Sequence, residues 1–182
     1  GVFSGSGSEP LYGDTYLPRK FKVGVTVPGD NSIDLLTQDI GLVVFTDPSG
    51  TLRGCNVYVG GGMGRTHNKE ETFARIADPL GYVAAEDVLD VVQSIMALQR
   101  DHGDREIRKH ARMKYLIHDK GIEWFRSTLQ KDYFHGELRG LRKEPKPKLL
   151  DYLGWHRQKP GLWFVGLPVS YTHLTLPTKF VV

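Results

Sequence analysis

Lys20-Phe21-Lys22-Val23-Gly24-Val25-Thr26-Val27 decides the fold, because its strict alternation sets Phe21, Val23, Val25 and Val27 on one side and Lys20, Lys22, Gly24 and Thr26 on the other. That is the period of a β-strand. Side chains two apart on a strand share a face at roughly 7 Å, so Lys20 and Lys22, with Arg19 beside them, form a candidate clamp for an anion. Lysines at a strand mouth also serve simply to face water and discourage edge pairing. Downstream, Pro28-Gly29-Asp30-Asn31 breaks the strand and Ser32 to Asp39 makes a helical or irregular excursion. Gly41 to Thr46 reads as a second strand, Asp47-Pro48-Ser49-Gly50 as a type I turn, and Thr51 to Val59 as the hairpin partner.

Helical periodicity then takes over. A short helix is predicted over Glu70 to Ala77, and a clear one over Glu86 to Arg100, where Val88, Val92, Ile95, Met96 and Gln99 step along one face. After Gly103 the pattern predicts helices over Asp104 to Asp119 and Gly121 to Asp132, the latter burying Ile122, Phe125 and Leu129. Lys143 to Lys148, with Pro145 and Pro147, reads as an exposed connection, and Trp155 and Leu162 to Val169 as a return to strand. Strands followed by segregated helices predict an α+β fold: an antiparallel sheet of Lys20 to Val27 with the Gly41 to Val59 hairpin, packed by helices starting near Glu86, Asp104 and Gly121.

With 182 residues, 40% of them hydrophobic and 25% charged, the chain has the composition of a globular domain with a real core. Disordered and collagen-like classes are excluded, and no apolar run is long enough to span a bilayer. A net charge of +3 suits a nucleic acid, an acidic protein or an anionic cofactor equally. The one cysteine, Cys55, sits in the strand-like Gly54 to Val59 run and is read as a small buried hydrophobe. It cannot by itself hold a four-iron cluster, which needs four thiolates.

Two stretches carry candidate chemistry. Gly60-Gly61-Gly62-Met63-Gly64 follows a strand and would let backbone approach a ligand closely, but it is neither a dinucleotide fingerprint nor a P-loop. On the helix predicted after Gly103, Arg105, Arg108, Lys109 and Arg112 fall at i, i+3, i+4 and i+7, so one face is wholly cationic instead of mixing signs. Phosphates of a nucleic acid could use such a face; aromatic interleaving and any helix-turn-helix or RNA-binding signature are missing. His102, His110 and His118 recur every eight residues, turning about 80° each time around a helix, which does not converge on a metal. No nucleophile motif such as Gly-x-Ser-x-Gly is visible.

The segments LPRKFK (17–22), TVPGDNSIDLLTQDIG (26–41), NVYVGGGMGRTHNKEETFARIADPLGYV (56–83), QRDHGDREIRKHARMKYLI (99–117) and YLGWH (152–156), in that order, resemble the middle of a ferredoxin-dependent sulfite reductase haemoprotein of the nitrite/sulfite reductase superfamily. The similarity runs from about Ser8 to Val169. It implies part of a sirohaem-binding domain, in an assimilatory enzyme that reduces sulfite to sulfide with six electrons at a sirohaem coupled to a [4Fe-4S] cluster, with ferredoxin as donor. By the same resemblance Lys20 and Lys22 are catalytic, while Arg19, Gly60, Gly61, Gly62, Arg108, Arg112 and Lys114 hold the cofactor. The glycines would lie against the flat macrocycle, and the cations would pair its carboxylates. Arg65 and Arg75 fall in matching blocks and are read as structural. Nitrite reductases of the superfamily tend to have asparagine where Lys22 stands, so Lys22 favours sulfite over the nitrite alternative. Cluster cysteines are expected downstream of Val169, and further cofactor arginines upstream of Gly1.

Residues 1–14, rich in Gly, Ser and Pro, read as a linker or a truncated end, 15–169 as the partial sirohaem domain, and 170–182 as a non-native tail that looks like translated sequencing adapter. The expectation is therefore a fragment, inactive alone, needing the flanking parts of its enzyme, with neither nucleic acid nor membrane as partner. The expected location is cytoplasmic, although a chain starting at Gly1 leaves targeting unreadable.

Overall fold

A computed structural model describes residues 11–148 and 153–167; the proposed tail and the first ten residues of the proposed linker lie outside them. The chain divides into two units, 1–148 and 149–182. In the first, β1 (Val23–Thr26), β2 (Ile40–Thr46), β3 (Leu52–Val59) and β4 (Asp78–Ala84) form a sheet in the order β1-β2-β3-β4. Helices α1 (Val88–His102), α2 (Met113–Lys120) and α3 (Ile122–Thr128) follow, and α3 continues into a π-helical turn at Leu129–Tyr133. In the second unit the described residues form a hairpin of β5 (Gly154–Arg157) and β6 (Trp163–Gly166).

The fold is α+β, as the patterning implies. The β2–β3 hairpin is antiparallel and closes where expected, with Gly50 N–H donating to Asp47 O at 2.9 Å and Asp47 Oδ1 accepting from the Ser49 and Thr51 amides. Each side of the sheet follows from period two. Ile40, Leu42, Cys55, Val57 and Val59 face the helices, where they meet Val91, Ile95, Leu98, Ile117, Phe125 and Leu129 in one continuous core. Truncating one of these to alanine costs about 2–5 kcal/mol in such an environment. On α1 the buried stripe is Val91, Ile95, Leu98 and Gln99, one step round from the predicted face.

Three expectations are corrected. First, β1 pairs with β2 in parallel, Val23 opposite Ile40 and Val25 opposite Leu42, so the sheet is mixed. The Pro28 to Asp39 excursion is the crossover that a parallel pair requires. The strand also begins only at Val23, leaving Arg19 to Lys22 as its extended approach, and its valines are the exposed side: Val25 is 55% exposed while Gly24 and Thr26 are buried.

Second, Glu70 to Ala77 is not helical. The Thr72 hydroxyl accepts from Thr66 N–H at 2.8 Å and donates to Lys69 O at 2.8 Å, and Arg75 exchanges both backbone hydrogen bonds with Gly62, which forces an extended path on a sequence of good helix formers.

Third, the helix predicted from Asp104 starts only at Met113. Asp104 Oδ1 takes the Glu106 and Ile107 amides in a tight turn, and Gln99 Nε2 binds Ala111 O at 3.0 Å, pinning 104–112 as a loop.

Candidate functional site

The site begins where the chain enters β1. Lys22 is clasped at both ends of its peptide: its N–H donates to Asp39 Oδ2 at 2.9 Å, and its carbonyl accepts from Ile40 N–H at 3.0 Å. Arg19 and Lys20 stand just outside this clasp. Lys20 lines a hollow of about 390 Å³ with Leu17, Pro18, Arg19 and Arg108. A second hollow of about 390 Å³, lined by Arg19, Gly64, Arg65, Thr66, Thr72, Arg108, Lys109, Arg112 and Tyr115, shares Arg19 and Arg108 with the first.

Six cations thus line two adjoining hollows, and no aspartate or glutamate is among the lining residues. Concave, single-sign surfaces of this kind focus the field and concentrate anions. Lys22 lines neither hollow, but its charge is felt close by, on the buried Asp39 and on Lys114. A separate hollow of about 300 Å³ lies on the sheet face away from the helices, around Leu35, Val43, Tyr58 and Pro145, and contains none of the predicted residues.

Behind the cationic trough runs the glycine loop, fixed by its backbone. Gly60 N–H donates to Asp39 O at 2.9 Å, and Gly61 N–H to Gln38 O at 3.0 Å. The missing side chains are required by the chain itself. A Cβ on Gly61 would sit 2.2 Å from Leu36 O, and one on Gly60, whose φ is +82°, 2.7 Å from Ile117 Cδ1. Gly60, Gly61 and Gly62 are buried; Met63 and Gly64 carry the loop to the surface.

Lys114 is fully buried. Its ammonium donates to Gly62 O at 3.2 Å, Gly64 O at 2.7 Å and Phe73 O, and lies 4.9 Å from the centre of the Tyr115 ring. Burial above all, then the neighbouring Arg112 and Lys22 charges, pull its pKa below the ordinary lysine value, while Asp39 opposes them. Lys114, expected to pair a cofactor carboxylate, is instead spent on main-chain oxygens and props the glycine loop from inside.

The cationic face predicted on one helix is replaced by convergence from a loop. Arg108, Lys109 and Arg112 reach the trough from non-helical backbone. Arg105 does not, because its guanidinium donates to the carbonyls of Thr15 at 2.9 Å, Tyr16 at 2.6 Å and Arg100 at 2.8 Å. Arg75 is structural as read, bridging Gly60 O at 3.0 Å and Asp78 at 2.5 Å. Arg65 is not buried structure: it lines the trough.

Nothing in the sequence marks out Asp39, whose partners Lys22 and Gly60 are distant along the chain. The histidines have separate neighbours, His102 against Trp124, His110 stacked on Tyr115, and His118 against Phe73. Cys55 is buried as expected, and burial pushes its thiol up to about 12.

These features can be set beside known proteins. The chain is 63% identical over 162 residues to the sulfite reductase [ferredoxin] of Synechococcus elongatus, covering 89% of this chain and 26% of that protein. It is 44% identical over 155 residues to the sulfite reductase [NADPH] subunit beta of Saccharomyces cerevisiae, covering 85% of this chain and 11% of that one. The Mycobacterium tuberculosis NirA structure superposes with a TM-score of 0.58 at 30% identity, over 82% of this chain and 26% of that one. The chain therefore spans about a quarter of two of these relatives and 11% of the third. Residues 6–136 match the family described as the nitrite and sulphite reductase 4Fe-4S domain, and the chain belongs to that family.

Proposed function

We propose that this chain is the anion-facing part of a ferredoxin-type sulfite reductase that reduces sulfite to sulfide. The observation that carries the reading is the carboxylate-free trough of Arg19, Lys20, Arg65, Arg108, Lys109 and Arg112. A buried polycarboxylate requires many paired cations, and these residues fit sirohaem in that respect. Arg19, Arg108 and Arg112 would hold its carboxylates, with Arg65 and Lys109 as additional partners. When bound, sirohaem supplies the iron at which electrons reach the sulfur anion. Lys20 and Lys22 attract the anion to the mouth of β1 and hand over protons as oxygen leaves as water. Gly60, Gly61 and Gly62 are buried and line neither hollow; their packing fixes the loop that brings Gly64 into the lining of the trough.

The residues present do not fit the [4Fe-4S] cluster. Cys55 is the one cysteine in the chain and lies inside the core with a strongly raised pKa, so no step is assigned to a cluster here. Ferredoxin as electron donor is carried over from the Synechococcus relative's name. In the full-length enzyme, Lys22→Asn is expected to lower kcat for sulfite at least tenfold, about 1.4 kcal/mol of transition-state stabilisation, with sirohaem absorbance retained. Unchanged sulfite kinetics in that variant refutes the reading, and a shift of preference toward nitrite would identify Lys22 as the discriminating residue.

A further inference from the structure

We infer that Asp39 is the positioning residue of the anion site, its buried carboxylate holding the Lys22 peptide and its own carbonyl holding the first glycine of the loop. The inference rests on the proposed role of Lys22. Asp39 is 2% exposed, and a carboxylate is seldom left so deep without a task for its charge. Its Oδ2 accepts the Lys22 amide at 2.9 Å, its main-chain oxygen accepts Gly60 N–H at 2.9 Å, and the next residue, Ile40, donates to Lys22 O at 3.0 Å. Strand entry and glycine loop are thereby referred to one point.

Burial raises the pKa of Asp39, and the Lys22 amide and the charges of Arg112 and Lys22 oppose it; Asp39 is in turn the one charged neighbour that favours the Lys114 ammonium against Arg112 and Lys22. It touches neither hollow, so its action on an anion runs through Lys22 and the loop.

Two substitutions separate position from charge. Asp39→Asn keeps an oxygen at the Lys22 amide and loses the charge; Asp39→Glu keeps the charge and displaces the oxygen by one methylene. Hydrogen exchange of the 182-residue chain reads the contact directly. The Lys22 amide is expected to exchange at least tenfold faster in the Glu variant, the loss of one hydrogen bond to a charged group, while Asn keeps most of the protection. In the full-length enzyme, Glu should cost kcat/KM for sulfite several-fold more than Asn, at equal sirohaem content.

Wild-type exchange in the Glu variant, or Asn behaving worse than Glu in either measurement, overturns the inference. Lys22→Asn, measured alongside, keeps the two ideas apart. Normal turnover there brings down the reading of Lys22 itself, whereas impaired turnover there with a wild-type-like Glu variant brings down Asp39 alone.

Discussion

Lys114→Met is the most discriminating single change in this chain, because the ammonium has either an internal or an external partner and the two give opposite results. Methionine retains the buried stem beside Tyr115 and Phe73 and removes only the donor. Of the three acceptors, Gly62 O keeps the Arg75 N–H at 2.9 Å, so Gly64 O and Phe73 O are the carbonyls that lose a charged donor. An orphaned buried acceptor costs about 1–3 kcal/mol. Gly64 is at the surface, where water replaces the lost donor, and removing a buried charge returns part of its desolvation cost. The balance is a loss of about 1–2 kcal/mol. Urea unfolding of the chain should show it as a lowered midpoint at constant slope.

A change within about 1 kcal/mol, the size of an ordinary substitution, accompanied by lost sirohaem in the full-length enzyme, would refute the internal-strut assignment and restore Lys114 to the cofactor. The pH dependence provides a second check. Because the folded pKa of Lys114 is depressed, the folded state releases its proton before the unfolded state does, so its cost disappears as pH rises from the folded value toward the ordinary 10.5. Wild type should gain on the Met variant across that alkaline window.

Gly61→Ala should destabilise the chain by about 2 kcal/mol or more by overpacking, since the new methyl meets the Leu36 and Gln38 carbonyl oxygens at 2.2 and 2.7 Å; an unchanged urea midpoint would contradict this. Cys55 should react with an alkylating reagent at neutral pH on the order of a hundredfold more slowly in the native chain than in urea, because burial disfavours the thiolate; equal rates would place the thiol outside the core. A soluble polycarboxylate should raise thermal stability more than chloride at equal ionic strength, by binding the folded trough alone. Arg108→Ala with Arg112→Ala should abolish the difference, and a gain that survives them would move the anion site elsewhere.

How much of this was legible depends on whether the signal was local. The β2–β3 hairpin and α1 could be read because alternation, the Asp47 to Gly50 turn and an apolar stripe of helical period each act within a few residues. The parallel pairing of β1 could not, since period two is the same for both pairing directions and the choice lies in the crossover. The helix expected from Asp104 failed for a related reason. Its residues favour a helix, but the Asp104 carboxylate captures two nearby amides and Gln99, from the preceding helix, holds Ala111. Arg19, Lys20, Arg108 and Arg112 stand out in the sequence as clustered cations, with their roles implied by family resemblance, and they line the two adjoining hollows, whereas Asp39 and the trough role of Arg65 depend on partners distant in sequence.

Charge type alone does not separate the trough cations from the structural ones; the supply of nearby carbonyls does. Lys114, Arg75 and Arg105 each lie within reach of main-chain oxygens left over by irregular backbone, at Gly64 and Phe73, at Gly60 and Ile76, and at Thr15 and Tyr16, and their charge is spent inward on holding those segments. The trough cations line a surface that has no aspartate or glutamate among its lining residues. Their mutual repulsion is a standing cost to the fold that an anion relieves on binding. The same loops therefore serve both groups: 60–64 is irregular because its glycines pack against main chain, 104–112 because Asp104 and Gln99 capture its backbone, and that irregularity consumes some cations as internal ties while directing the others outward.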